Sequence, residues 1–412
     1  MTPPLYIALR FLSHRKRAFL FSLSGVVFGV AIFICTQAQT QGFAQEFINA
    51  NLGSKGALVM GPRFQPRYSG LLVPPRNSSA NAAHRHYLEG IVDPAGIMRV
   101  SRQFANVVAC SPVLRERLTA RSGFESAVID LFGIDPATHV AATDLHHQIV
   151  EGNFEDFRNN PSTVIVGSRL AELLDLRVGG AMQLLPGSGQ YQRFNVAAIA
   201  RTGIGAIDDS RVYCHRKIAQ KLLLKPYSAS MILYKLRDVD RAPALGKHFE
   251  MLFQHETEDW QEREAANLQL FVTLRLSAAI TVSLIILLAG FGIFNVLTMT
   301  VLSKVRDIAI LRSMGYRRRD ISAIFLWHGA MIALVGSVVG CISGALLTWG
   351  VSHIPIRVRG LVSADHFLVS WDWRHYLWAS LLAIIAVFIS SYVPARRAAQ
   401  LLPVATLRGS SL

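Results

Sequence analysis

Few residues in this 412-residue chain are placed to do chemistry. His84 and His86 would share one face of a strand, and His146 and His147 form a second close pair. Paired imidazoles can ligate a metal, but neither pair comes with the cysteine or carboxylate pattern of a metal site, so both read as solvated histidines. Asp208 and Asp209 follow Gly203 and Gly205 and read as turn acids. Cys110 and Cys214 lie in one long segment, where a bridge between them is an open question, and Cys35 and Cys341 fall in apolar runs. No GxxxxGK[ST], HExxH, CxxC or GxSxG pattern occurs. The expectation is therefore no catalytic residue, no metal site and no cofactor held by this chain. What remains is the segment Lys304–Tyr316 (KVRDIAILRSMGY), which from its residues alone reads as a basic amphipathic helix and nothing more. Lys304, Arg306, Asp307 and Arg312 supply its charges. Ile308, Ile310, Leu311 and Met314 supply an apolar face at helical spacing, and Gly315 ends the helix before Tyr316.

The elements that must position this segment are apolar. Hydrophobic residues make up 51% of the chain and charged ones 17%, which excludes disorder, and four cysteines exclude a disulfide-stapled scaffold. The apolar residues concentrate in four runs near 18–38, 276–302, 321–349 and 376–393. Each reaches or approaches the roughly 20 residues of a membrane-spanning helix. Trp371, Trp373, Tyr376 and Trp378 stand before the fourth run like an interfacial belt. The first run exceeds a signal-peptide core and lacks a small-x-small cleavage site, so it is read as retained. No acidic residue falls within a span, which disfavours an ion-coupled pump, although His328 lies in the third. Gly25 and Gly29 in the first span, and Gly336, Gly340 and Gly344 in the third, carry GxxxG spacing. Such faces serve packing within the chain or dimerisation, and the pattern alone favours neither.

Charge orients the spans. Most of the formal +15 sits in three short segments: Arg10 to Arg17 before the first span, Lys304 to Arg319 between the second and third, and Arg396, Arg397 and Arg408 after the fourth. Basic loops favour the cytoplasmic side, so both termini and the 303–320 segment are expected inside. The long segment 39–270, nearly balanced in charge, is expected outside. Juxtamembrane placement also accounts for the basic pI without nucleic acid, which is not expected as a partner.

Within the outer segment, Thr36–Asn51 reads as a helical continuation of the first span. Strands are expected at 162–167, 181–185, 194–200 and 211–214, and a serine-capped helix at 168–176. Residues 53–81 read as loop, and 258–274 as a helix running unbroken into the second span.

The segment Lys304–Tyr316 resembles the coupling segment of ABC-transporter permeases of the MacB/FtsX/Lol superfamily. Tyr392–Ala399 (YVPARRAA) and Leu402–Arg408 resemble its tail, and Thr163–Leu184 (TVIVGSRLAELLDLRVGGAMQL) with Phe194–Tyr213 its outer core. Ile7–Leu12 (IALRFL), Gly42-Phe43, Phe132–Pro136 (FGIDP) and Asp307–Arg312 (DIAILR) point to the lipoprotein-releasing LolC/LolE type. Residues 53–86 depart from the pattern, which leaves the cargo open. The resemblance implies an α-helical membrane protein of the bacterial inner membrane with four transmembrane helices. A large α+β extracytoplasmic domain, a MacB-like periplasmic core, would be inserted between helices 1 and 2. The implied division is a cytoplasmic segment 1–17, spans 18–38, 271–302, 321–349 and 374–393, the outer domain 39–270, a coupling segment 303–320, an outer loop 350–373 and a tail 394–412. It further implies pairing with a second permease subunit, same or homologous, and two copies of a separate ABC ATPase that bind ATP and Mg. Cargo would be a lipoprotein or other lipophilic substrate, with a periplasmic carrier or adaptor as a possible partner. Phe43, Phe47, Leu268, Phe271 and Val272 are candidates to meet the cargo's acyl chains, or else plain packing residues. Rival readings are a MacB- or DevC-like exporter of peptides, glycolipids or small molecules, and FtsX-like signalling to a cell-wall hydrolase.

Overall fold

The computed structural model describes residues 16–63, 90–91, 93–186, 189, 191–225, 229–358 and 364–400. His84, His86, the Ile7–Leu12 segment and the tail beyond Gln400 lie outside the described residues. The chain forms two compact units: Glu46–Leu268 with Arg357–Ala364, and the remainder.

In chain order, helix α1 (Lys16–Lys55) precedes strand β1 (Leu58–Arg63), helix α2 (Pro94–Ser101) and a hairpin of β2 (Val107–Ser122) and β3 (Glu125–Ile134). Helix α3 (Pro136–Ala142), β4 (Ile149–Gly152), α4 (Phe154–Asn159), β5 (Thr163–Gly167) and α5 (Ser168–Leu173) follow. Then come β6 (Ala181–Leu185), β7 (Gln192–Ala200), α6 (Gly205–Asp208), β8 (Arg211–His215), α7 (Arg216–Leu222) and β9 (Met231–Leu236). The α/β unit closes with α8 (Ala242–Phe253), β10 (His255–Asp259) and α9 (Trp260–Arg263). The short helices start where a side-chain oxygen meets the first free amides: Asp135 accepts from Ala137 N, Asn153 from Glu155 N, and Asp259 from Gln261 N and Glu262 N. Such a cap is worth about 1 kcal/mol, enough to matter for a helix of one or two turns.

The ten strands of the α/β unit share one sheet system. β2, β3, β8, β5, β7 and β6 pair in turn, and β6 returns to β2, so these six close into a ring. The period-2 alternation of strand side chains fills it. Leu131 of β3, Val164 and Val166 of β5, and Val212 and Cys214 of β8 enter one core. The intervening Phe132, Ile165 and Tyr213 point to the opposite side, under Phe154 and Phe157 of α4. β2 is long because it serves twice. Its Val107–Val113 half pairs with β9, and its Leu114–Ser122 half pairs with β3. β9, β1 and β10 extend from it as an antiparallel arm backed by Phe249 of α8.

The strands expected near 162–167, 181–185, 194–200 and 211–214 correspond to β5, β6, β7 and β8. Three expectations need correction. The loop assigned from Gly53 contains the end of α1 and then β1, whose Leu58 and Met60 are fully buried. The helix at 168 is preceded by Gly167 as its cap, with no side-chain capping bond. The stretch from Glu258 is not one helix: it begins in β10, whose alternating burial is set by pairing with β1, and continues into α9.

The other unit contains α10 (Ala265–Ser303), α11 (Val305–Ser313), α12 (Arg318–Ser352), the short strands β11 (Pro355–Val358) and β12 (Ala364–His366), and α13 (Trp373–Gln400). Helices α1, α10, α12 and α13 are each long and apolar enough to cross a membrane. They pack around Val30, Ile34, Ile286, Ile293, Ile332 and Val387. Much of their remaining surface is exposed leucine, isoleucine and phenylalanine, as a lipid-facing surface requires.

Candidate functional site

Helix α11 sits between two candidate spans and is closed by a turn written in the sequence. Gly315 has φ +96°, a conformation open to glycine and strained for a side chain. Gly315 N–H donates to Arg312 O and Tyr316 N–H to Leu311 O, both at 3.2 Å. This is the Schellman pair of bonds, and Leu311 and Tyr316 both pack on the helix core beside it. Arg317 N–H then donates to Asp320 Oδ2 at 2.8 Å, starting α12.

The helix presents one face to the core and another to solvent. Ile308 is 1% exposed and Ala309 3%, both inside the helix unit, and Leu311 is half-buried against it. The expected apolar face is therefore narrowed at Ile308, which is buried in the helix unit, while Leu311 stays half-buried against it. Ile310 and Met314 remain exposed, at 47% and 72%. With Arg306 they form a stripe at four-residue spacing along one side. The charges differ in their commitments. Asp307 accepts from Lys304 Nζ at 2.7 Å. Arg312 Nη1 reaches to 3.5 Å from Ala399 O near the C-terminus of α13, where a cation is favoured. Arg306 has no ion-pair or hydrogen-bond partner among the described residues.

The small-residue faces are used within the helix unit. Gly336, Gly340 and Gly344 of α12 lie against Val26, Val30 and Ile34 of α1, and Gly25 and Gly29 of α1 lie against Ala289 and Ile286 of α10. Of the candidate cargo contacts, Phe47 is 2% exposed and closed to any ligand in this conformation, and Leu268 packs partly on the core of the α/β unit. Phe43 stands edge-on to Phe367 at 6.5 Å, Phe271 is half-buried, and Val272 is exposed.

The described outer residues singled out from sequence, other than His84 and His86, make packing and hydrogen-bond contacts. His146 packs against the Phe154 ring at 5.7 Å and, with His147, belongs to a 3-10 turn. Cys110 and Cys214 are both buried and free, so no bridge joins them. Burial pushes the Cys214 thiol up to about 12. Asp208 is buried and accepts from Thr202 N–H at 2.8 Å and Thr202 Oγ1 at 2.7 Å across the turn. Burial raises its carboxyl above the usual range. One pair escaped sequence reasoning, Ser111 Oγ and His139 Nδ1 at 3.1 Å. Burial, helped by Arg211, holds His139 down at about 3, and both side chains are shut away from solvent, so the pair is packing and not a nucleophile.

Comparison with known proteins agrees with this architecture. The MacB-like periplasmic core domain matches residues 19–251, and the FtsX-like permease C-terminal family matches residues 279–403. The chain is 24% identical to the lipoprotein-releasing system transmembrane protein LolC of Neisseria meningitidis serogroup B, over 98% of each chain. It is 22% identical to LolE of Haemophilus influenzae, over 99% of each. It is 24% identical to the macrolide export ATP-binding/permease protein MacB of Nitrosomonas europaea, over 96% of this chain and 57% of that longer one. A MacB-like core between the first and second of four apolar helices, followed by an FtsX-like permease region, places this multi-pass inner-membrane protein in the MacB/FtsX/Lol superfamily of ABC-transporter permeases.

Proposed function

We propose that this permease is driven by a separate ABC ATPase and releases lipid-anchored proteins from the outer leaflet of the inner membrane. The observation that carries the reading is the end-to-end likeness to LolC, which spans 98% of both chains. The chain carries no P-loop, so ATP and Mg belong on the partner, and the docking surface is the Arg306–Ile310–Met314 stripe of α11. Two permease subunits, same or homologous, pair and each receives one ATPase. The basic segments around α11 and at both termini face the cytoplasm. Extracting an acyl chain costs about 0.8 kcal/mol per CH₂, which makes coupling to ATP hydrolysis sensible. Phe43, Phe271 and Val272 are the positioned candidates to meet the leaving chain. The test is depletion of the permease followed by fractionation of lipoproteins between membranes. Retention of lipoproteins in the inner membrane is expected, and unchanged sorting overturns the reading.

The likeness to MacB across 96% of this chain supports a second reading, export of a small molecule or peptide through an adaptor. Cross-linking of the α/β unit to a membrane-fusion adaptor, with lipoprotein sorting intact on depletion, would establish that reading in place of the first.

A further inference from the structure

The α/β unit contains a cavity of about 340 Å³ whose walls are unusually cationic. Lys55, Arg115, Arg211 and Arg263 line it against only two carboxylates, Asp130 and Glu258. Close ion pairs engage only some of these cations, although Glu258, Asp259 and Glu264 also act on Arg263, and Asp208 on Arg211, at longer range. Asp130 is shared by Arg115 at 2.8 Å and by Arg117 at 3.4 Å. Lys55 is held by Glu264 at 2.8 Å. Arg211 and Arg263 have no carboxylate within ion-pair distance among the described residues.

Both arginines are pinned by other means. Arg211 Nη1 donates to Ser54 O and to Tyr213 Oη, each at 3.2 Å, and its guanidinium lies 4.1 Å from the centre of the Phe132 ring. Arg263 Nη2 donates to Gly56 O at 3.0 Å. These bonds satisfy carbonyls at the C-terminal end of α1, a place that favours cations. They do not satisfy Arg263. Its Nε and Nη1 are buried and have no partner among the described residues. Unmet guanidinium donors in a partly desolvated site are costly, and a planar fork of this kind matches a tetrahedral or carboxylate oxyanion.

We propose that this cavity is a binding site for a phosphate group, held between Arg263 and Arg211 with Lys55 as a third cation. Two fixed guanidiniums with no ion pair among the described residues suit a phosphate oxyanion, and the cavity leaves room for a substituent on it. The phosphate can be that of a soluble metabolite or of an anionic lipid headgroup. The site gathers the last turn of α1, the end of α9 and the first residue of β8, so an occupant would add a cross-link to segments already joined by the Lys55–Glu264 ion pair and by arginine bonds to backbone carbonyls.

Equilibrium dialysis of the full chain in non-ionic detergent against radiolabelled inorganic phosphate tests this. Saturable binding of one phosphate per chain is expected. Arg263→Gln should weaken it at least about tenfold, the usual loss for a charge-assisted donor pair. Ser210→Glu keeps both arginines and adds a carboxylate to the cavity wall, so it should weaken binding similarly even if Arg263→Gln fails to fold. Repeating the measurement in phosphatidylglycerol vesicles separates the sources: loss of phosphate binding there assigns the site to lipid headgroups, and equal binding assigns it to a soluble phosphate. Absence of saturable binding in detergent, or binding unchanged in Ser210→Glu, overturns the proposal and leaves a water-filled cavity whose arginines serve only to cap α1.

Discussion

Gly340 of α12 faces Val30 of α1 so closely that a Cβ built on the glycine would lie 2.7 Å from the valine Cβ. Gly336 has the same relation to Val26 Cγ1 at 2.8 Å, and Gly29 to Ile286 Cγ1 at 2.8 Å. Close backbone approach is how helices gain packing in lipid, where burial from water no longer drives association. A side chain at Gly340 must push α12 off α1. Gly340→Leu is expected to lower the thermal midpoint of the detergent-solubilised protein by many degrees, whereas Gly292→Ala, with nothing within 4 Å, should leave it unchanged or slightly raised. Equal midpoints for both variants would show that the helices do not pack this way.

The two faces of α11 make separable predictions. Ile308→Ala removes a side chain that is 1% exposed and should cost about 2–4 kcal/mol of stability. Ile310→Ala, on the exposed side, should leave the thermal midpoint alone and reduce co-purification of the proposed partner ATPase. The double variant Arg306→Glu, Met314→Asp should abolish co-purification while membrane insertion persists. Undiminished ATPase recovery from that variant would remove α11 from the docking interface.

Gly315→Val addresses the turn rather than the surface. Its left-handed φ of +96° disfavours any side chain, and a β-branched one most, by about 1 kcal/mol or more. The expected outcome is a modest loss of stability with a larger loss of ATP-dependent transport, since α11 would no longer be held at a fixed angle. The paired measurement is a thermal midpoint beside a transport rate on the same preparation.

His139 gives the α/β unit a pH dependence of definite sign. In the unfolded chain a histidine binds its proton near pH 6.5, whereas buried His139 stays neutral down to about 3. The stability it contributes is complete above the unfolded value and is lost as pH falls, at up to about 1.4 kcal/mol per pH unit. Asp208, raised by burial, acts in the opposite sense, gaining stability as its carboxylate protonates. The midpoint should therefore fall less steeply between about pH 6.5 and 5 in His139→Gln than in the parent. Parallel curves would mean that His139 is solvated in the native state.

Cys110 and Cys214 should be silent towards alkylating reagents at neutral pH until the protein unfolds, because both are buried and the Cys214 thiol is held up at about 12. Mass spectrometry of the alkylated native protein checks this, and a reducing agent should not move the thermal midpoint.

What could be read from sequence follows from how local each signal is. The spans were legible because uncharged runs of this length have few other uses, and β5 and β8 because a short strand buried on both sides is a short apolar run. The β2–β3 hairpin was not. Its sequence from Glu116 to Asp130 is rich in arginine, serine and glutamate, and it becomes strand through a tight turn at Gly123 (φ +58°) and through pairing with distant β6 and β8. β10, with the sequence HETED, is polar throughout; pairing with β1 and packing against α8 make His255, Thr257 and Asp259 inward-facing. For the segment Lys304–Tyr316, the helix and its glycine stop were readable, but the apolar spacing could not say which side the helix core would claim. That assignment came from Ile308, which the neighbouring spans bury.

The doubled duty of β2 bears on how the α/β unit can respond to force. Its sixteen residues are the one beam common to the closed ring and the three-stranded arm. A pull on the arm through β1 or β10 is carried into the ring by shear along the hydrogen bonds of that beam and through the core that Val59 and Leu233 share with Phe132 and Tyr213. Load therefore moves the two parts together.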